Sequence, residues 1–305
     1  MPTARGSFLS KSLMCSANLY ISEKGVKTMP EKVAVVLFLF LVFMMGACVG
    51  SFCNVIAMRV PLKESFVKGR SHCPKCKHDL TALDLVPFFS WIFLRGKCRY
   101  CKEKISFRYP LTELIGGLSA LFSVWQLGVT LNALVLFYLI SVLVTLSIID
   151  QATMEIPDGF HIAILIAAVA SIWFGPTFGL IHVSLVSRVI GFFVVSVPMY
   201  ILAVLTGGFG GGDIKLMAVA GLLLGWKATL CAFMLGIFAA AFFCIYIVLY
   251  AAYAVFKKKA ESFKEGMHAA MKMQFAFGPY LSIGIVLAYL YSTQIISFYL
   301  GMFLR

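Results

Sequence analysis

The stretch Gly207-Gly208-Phe209-Gly210-Gly211-Gly212-Asp213-Ile214-Lys215 sets an acid behind five glycines in a chain that is otherwise mostly apolar. A carboxylate among apolar helices is expensive to bury, so by default it marks a functional site. The glycines let the backbone bend sharply and let a neighbouring segment come close. Of the 305 residues, 61% are hydrophobic and only 13% charged, with a mean hydropathy of +0.94. A soluble domain carries about 25% charged residues. The expected fold class is an all-α polytopic membrane protein.

Outward from Asp213, apolar segments long enough to cross a bilayer follow one another, about 20 residues being needed for each crossing. Eight are read as spans: 33 to about 58, 110–126, 132–149, 159–174, 187–205, a short sixth at 214–224, a long seventh at 228–256, and 278–300. Pro157 opens the fourth as an N-terminal helix proline. The domain order expected is a polar N-terminal extension (1–32), a first transmembrane helix (33–58), a cytoplasmic loop domain that holds four cysteines (59–109) and a transmembrane core (110–305). Residues 1–30 lack the continuous apolar run of a cleavable signal peptide. Two readings of 1–28 stand: a polar tail, or an over-reading upstream of a start at Met29.

The net charge of +13 is held in loops, as the positive-inside rule requires, and this excludes nucleic acid as the expected partner. Loop 59–108 holds twelve Lys/Arg, and loop 257–272 holds Lys257, Lys258, Lys259, Lys264 and Lys272. Both face the cytoplasm only if an even number of crossings separates them, which eight spans satisfy. The N-terminus then faces out, and Asp150 and Asp213 both fall at the cytoplasmic face. Anionic lipid headgroups are the expected partners of these basic loops.

Two carboxylates brought within about 3 Å cannot both ionise, so one keeps its proton and the pair offers a base and an acid together. The base takes a proton from water, the water attacks an amide carbonyl, and the acid polarises that carbonyl and protonates the leaving nitrogen. Asp213 and Asp150 are the candidates for such an intramembrane aspartic protease. The competing reading of Asp213 is a helix N-cap, and that of Asp150 an interfacial helix-end residue. Asp158 competes with Asp150, against a plainer role as a first-turn acid facing the helix dipole. Glu113 is read either as a dipole partner or as functional. Lys215 either tunes the pair or holds substrate, or else snorkels to the interface. Gly210 and Gly212 support the turn.

Cys73-Pro74-Lys75-Cys76 and Cys98-Arg99-Tyr100-Cys101, with 21 residues between them, read as a structural four-cysteine zinc site. Disulfides are the alternative, which a reducing cytoplasmic face disfavours. His72 and His78 are spare ligands at most. Cys15, Cys48, Cys53, Cys231 and Cys244 are given no role.

Gly46-Ala47-Cys48-Val49-Gly50-Ser51-Phe52-Cys53-Asn54-Val55-Ile56 followed by Arg59-Val60-Pro61, the four-cysteine loop, Arg108-Tyr109-Pro110 with Glu113, Asp150 with Ile156-Pro157-Asp158, and Gly210-Gly211-Gly212-Asp213-Ile214-Lys215-Leu216 occur in the order seen in bacterial type IV prepilin leader peptidases. The chain resembles that family over about residues 33 to 300. The resemblance implies an eight-span GxGD-type aspartic peptidase of the bacterial inner membrane, with Asp150 and Asp213 catalytic rather than Asp158. It implies cleavage of the basic leader of prepilins and pseudopilins, the latter belonging to type II secretion. It further implies N-methylation of the new N-terminus from S-adenosylmethionine, a bifunctionality that goes with the zinc loop. No soluble-type methyltransferase glycine motif is present, and the segment Gly50 to Arg59 with the loop is the candidate place for that activity. Three rivals stand beside this reading: a zinc-dependent assembly factor, a cation transporter with an acidic relay, and a presenilin-type protease.

Overall fold

The computed structural model describes residues 31–173, 183–256 and 276–303. The polar extension up to residue 30, including both readings of its start, and the basic loop 257–272 lie outside the described residues. The fold is helical, with no strand among the described residues and only two isolated bridges. The helices are α1 (Glu31–Arg59), α2 (Phe89–Phe93), α3 (Arg108–Leu127), α4 (Leu131–Thr153), α5 (Asp158–Trp173), α6 (Leu185–Val194), α7 (Ser196–Thr206), α8 (Gly211–Leu224), α9 (Trp226–Phe256) and α10 (Gly278–Phe303). Five stretches are long and apolar enough to cross a membrane: Lys32–Arg59, Leu131–Thr153, Leu185–Thr206, Trp226–Tyr250 and Gly278–Met302. Helices α3, α5 and α8 are not among these five.

Three boundaries differ from those the sequence suggests, each for a local reason. Helix α4 runs past Asp150 because Met154 donates its N–H back to the Asp150 carbonyl at 2.8 Å, and Met154 then ends the helix with a left-handed φ of 58°. The expected fifth span breaks into α6 and α7 at Val195. Pro198 supplies no N–H and its ring crowds the carbonyl four residues back, at Val194, where α6 stops. Glu113 is the sixth residue of α3 rather than a first-turn acid, because the helix begins at Arg108.

The described residues form two compact units: those up to Ser51 with Thr81–Leu134, and Phe52–Leu80 with those from Val135 onward. In the first, α1 and α3 meet at glycine. A Cβ on Gly50 would come within 2.6 Å of the Thr112 carbonyl oxygen, and one on Gly116 within 2.5 Å of the Gly46 carbonyl oxygen. In the second, α8 packs on α5, α6, α7, α9 and α10, and α9 packs along α10. Its core is Leu136, Leu139, Leu143, Leu146 and Ile149 of α4, Leu216, Met217 and Leu224 of α8, and Leu281 and Ile285 of α10. Bilayer lipid is as apolar as leucine, so helices in it associate by close packing of small residues. Gly191 of α6 lies against Gly221 of α8 in this way, where an added Cβ would sit 2.5 Å from the Gly221 carbonyl oxygen.

Replacing Gly191 by Ala is therefore expected to cost about 1–3 kcal/mol through forced separation of α6 and α8. Gly159→Ala, whose Cβ meets nothing within 4 Å, should be neutral or stabilise α5 by up to about 1 kcal/mol. Thermal unfolding of both variants in detergent reads the difference.

Candidate functional site

The acids singled out in the sequence, apart from Glu113, come together in the second unit. Asp213 is the third residue of α8, whose N-cap is Gly210 in extended conformation with no side-chain cap. Asp213 is thus not the cap. Its carboxylate instead turns back toward the Gly210 N–H, the N3-to-N-cap reach of a capping box. Its Oδ1 is buried and has no hydrogen-bond partner. Asp150, in the last turn of α4, is 5% exposed. Its Oδ2 accepts a hydrogen bond from the Gly278 N–H at 2.9 Å. Asp150 lies close enough for its charge to act on the Asp213 carboxyl.

The chain around the acids is shaped by what glycine allows. Gly207 ends α7 in the left-handed conformation (φ 67°) with its N–H on the Ala203 carbonyl at 2.8 Å. Gly212 faces Ile156, whose Cβ an added methyl would meet at 2.9 Å. Gly210 has the Asp213 carboxylate 3.3 Å from its missing Cβ. Phe209 of this turn sits against Phe277, just before α10, with ring centroids 5.7 Å apart.

Asp158 is placed differently from Asp150. It is exposed in the first turn of α5 and accepts a hydrogen bond from Lys215 Nζ at 2.7 Å. Lys215 is thereby paired with Asp158 and is itself exposed. Two residues that sequence reasoning missed complete the region. His161, 7% exposed, has Nε2 3.0 Å from the Gly212 carbonyl oxygen, one residue before Asp213, while Nδ1 faces Asp158 Oδ1 at 3.5 Å. Gly278 holds Asp150, and an added Cβ there would lie 2.6 Å from Asp150 Oδ2. The one local hint of Gly278 was a Gly-Pro pair opening an apolar run. Glu113 belongs to the first unit, where its Oε2 accepts the Phe88 N–H at 2.7 Å and Ser51 hydrogen-bonds to it as well.

The two cysteine pairs fold into the same local structure, 25 positions apart. Cys73 N–H donates to His78 and Lys77 N–H to Cys73, at 3.0 and 2.9 Å. Cys98 N–H likewise donates to Glu103 and Lys102 N–H to Cys98, at 2.8 and 3.0 Å. His72 bridges Asp79 and Lys97 bridges Lys104. Lys77 and Lys102 take the same left-handed conformation, φ 58° and 60°. Arg99 in the second knuckle donates to Asp84 Oδ1 at 2.6 Å, and the Thr81 hydroxyl donates to Oδ2 at 2.7 Å. Burial pushes the Asp84 carboxyl up, but the bonds from Thr81 and Arg99 outweigh this and hold it below the usual carboxylate range. The Sγ atoms of Cys73, Cys76, Cys98 and Cys101 all lie within 4.8 Å of one another. Four thiolates on a tetrahedral ion at about 2.3 Å stand about 3.8 Å apart, so this donor set fits a metal ion.

Residues 44–127 match the profile of the Bacterial Peptidase A24 N-terminal domain, and residues 137–245 that of the Type IV leader peptidase family. A Prepilin leader peptidase/N-methyltransferase of Bacillus subtilis (strain 168) is 34% identical over 264 residues, covering 87% of this chain and 98% of that protein. The chain belongs to the type IV leader peptidase family. Another such relative, from Aeromonas hydrophila, is 32% identical over 300 residues, with 88% of this chain and 96% of that protein covered. One from Myxococcus xanthus (strain DK1622) is 35% identical over 196 residues, 64% of this chain and 58% of that protein. No solved structure gives a significant match. In this chain the first profile holds the four cysteines and Glu113, and the second holds Asp150, Asp158, His161, Asp213 and Lys215. Gly278 lies beyond both.

Elemental analysis of the purified protein should find one divalent ion per chain. Cys98→Ser, which removes a buried ligand, is expected to lower that content at least about tenfold, since a structural site needs its closed shell.

Proposed function

We propose that this chain removes the basic leader of type IV prepilins and pseudopilins with Asp150 and Asp213 as its catalytic pair, and N-methylates the residue that cleavage exposes. The observation that carries the reading is the juxtaposition of two carboxylates in one unit. Asp150 is buried with a single donor on Oδ2, and Asp213 Oδ1 is buried and unsatisfied. An unsatisfied buried acid oxygen is costly unless it carries or awaits a proton. The relatives' printed names, each a prepilin leader peptidase/N-methyltransferase, supply the substrate class and the second activity.

In the proposed reaction one carboxylate accepts a proton from a water molecule as that water attacks the scissile carbonyl. The other, protonated, hydrogen-bonds the carbonyl oxygen and then gives its proton to the leaving amine as the carbon–nitrogen bond breaks. The Gly278 N–H is one of the free donors that a helix start presents. It fixes Oδ2 of Asp150 and leaves the other oxygen for the reaction. Gly210 and Gly212 give Asp213 the close turn it needs. Lys215 and Asp158 form an exposed ion pair beside the turn. Glu113 serves the loop through Phe88.

The proposed setting is the bacterial inner membrane, with eight crossings that count α3, α5, the broken α6–α7 pair and the short α8. The active site lies near the cytoplasmic face and the basic loops meet anionic headgroups. The domain order is an extension (1–32), a first helix (33–58), a zinc loop (59–109) and a peptidase core (110–305). Zinc is the ion assigned to the four cysteines, where it closes the fold of the two knuckles. S-adenosylmethionine would supply the methyl group. At the ends of the candidate segment, Gly50 is closed off by the α3 backbone, and Arg59 spends its guanidinium on the carbonyls of Ser65, Lys68 and Arg70. The methyl step is therefore assigned to no residue.

Co-expression with a prepilin, followed by intact mass of the product, tests the pair. Asp150→Asn and Asp213→Asn should each lower leader removal by at least about 100-fold while protein level and metal content stay normal. Cleavage surviving in both would end the protease reading. Gly278→Ala should also lower cleavage about 100-fold by displacing the Asp150 carboxylate, an ångström-scale error at the reacting centre. Gly211→Ala, whose Cβ meets nothing within 4 Å, should leave it within about twofold.

A further inference from the structure

The segment between the two knuckles is not built like a solvated loop. Leu85-Val86-Pro87-Phe88-Phe89-Ser90-Trp91-Ile92-Phe93-Leu94 has nine apolar residues in ten. It is too short to cross a bilayer, and this length suits a re-entrant or interfacial piece. It is attached to two membrane helices of its own unit. The Phe88 N–H donates to Glu113 Oε2 in the second turn of α3, the Phe89 ring meets Phe40 of α1 at 6.5 Å, and Trp91 meets Phe107 at the start of α3 at 5.6 Å. Phe40 sits in the apolar half of α1, where Val33 to Leu41 are largely exposed side chains that only lipid suits. The segment continues that lipid-facing surface.

Its outer edge remains uncovered: Phe93 is 81% exposed and Ile92 46%. Most of its backbone N–H groups, by contrast, are taken up locally. Phe89 N–H donates to Pro87, Ser90 to Val86, Ile92 to Phe88, Leu94 to Ser90, Arg95 to Ile92 and Gly96 to Trp91, all within 3.3 Å. Position 87 is a proline with no N–H to satisfy, and the Trp91 indole N–H reaches the Ile105 carbonyl at 3.2 Å. Backbone that enters lipid depends on internal pairing of this kind, and a water-facing loop does not. Phe88 holds a left-handed φ of 64°, a strained choice for a non-glycine residue, and Glu113 takes up its N–H there. Arg95 and Lys97 follow at once, placing cations where phosphates would lie.

We propose that residues 85–94 form an interfacial wedge whose Ile92–Phe93 edge inserts among lipid acyl chains beside α1 and α3, with Glu113 as its internal anchor. The insertion itself does not rest on which leaflet the segment enters. The rival occupants of this edge are the apolar helix of a prepilin and a second copy of this chain.

The test uses the full-length protein in vesicles of phosphatidylethanolamine and phosphatidylglycerol, with p-benzoylphenylalanine in place of Phe93. Irradiation should give a phospholipid adduct at position 93 and none when the same probe replaces Lys75 on the first knuckle. An adduct with a co-reconstituted prepilin or with a second copy, in place of lipid, overturns the proposal, as does the absence of any lipid adduct. Phe93→Trp, which keeps the aromatic bulk, gives an independent reading. Lipids brominated near the headgroup should quench its added fluorescence at least about twofold more than that of wild type, and equal quenching overturns the wedge. Neither readout depends on cleavage, so failure here is distinguishable from failure of the peptidase reading.

Discussion

The hydrogen bond from the Gly278 N–H to Asp150 Oδ2 is the contact around which the second unit is arranged. A carboxylate 5% exposed at the end of an apolar helix needs a donor, and helix interiors have none to spare. The first turn of α10 does, because its leading N–H groups have no intrahelical acceptor. Bringing that turn onto α4 requires the two helices to run side by side, as the Ser147–Ser282 hydroxyl contact at 3.2 Å also records. It also requires that position 278 carry no side chain. Helix α9, lying along α10, then fixes where α8 can sit, and with it Asp213.

Small residues do the packing throughout. Gly50 and Gly116 in the first unit, and Gly191, Gly221 and Gly284 in the second, each sit where a methyl group would strike a neighbour. Lipid supplies no hydrophobic drive between helices, so contact area has to come from close approach. The same residue type serves two purposes here. In the helix interiors glycine is space for another backbone, and in the turn before Asp213 it is freedom for its own.

Much of this was legible in the sequence, where chemistry and local pattern coincide. The glycine turn before Asp213, the paired CxxC knuckles and the apolar runs each declare themselves within a few residues. The partner of Asp150 does not, because Gly278 is 128 positions away and no local pattern records that contact. His161 is likewise a lone histidine in an apolar helix until α8 is laid beside it. The break at Val195 was readable from Pro198, but a hydropathy window averages over it. The 85–94 segment was hidden for the same reason. A search tuned to about 20 residues passes over ten, and the twelve surrounding cations make the whole loop look polar.

The helix that carries Asp213 is short. At 14 residues and about 1.5 Å per residue it reaches about 21 Å, against a hydrocarbon layer of about 30 Å. Its far end does not meet water by its own length. There Arg188, 5% exposed, donates to the carbonyls of Leu222 and Leu223 at 2.7 and 3.1 Å and to Ser171 at 3.0 Å. The last turn of α8 is thus terminated by a protein cation rather than by solvent. Its carbonyl end is consequently satisfied from within the protein, so its length is free of the requirement that the ends of the five long apolar stretches reach a polar layer.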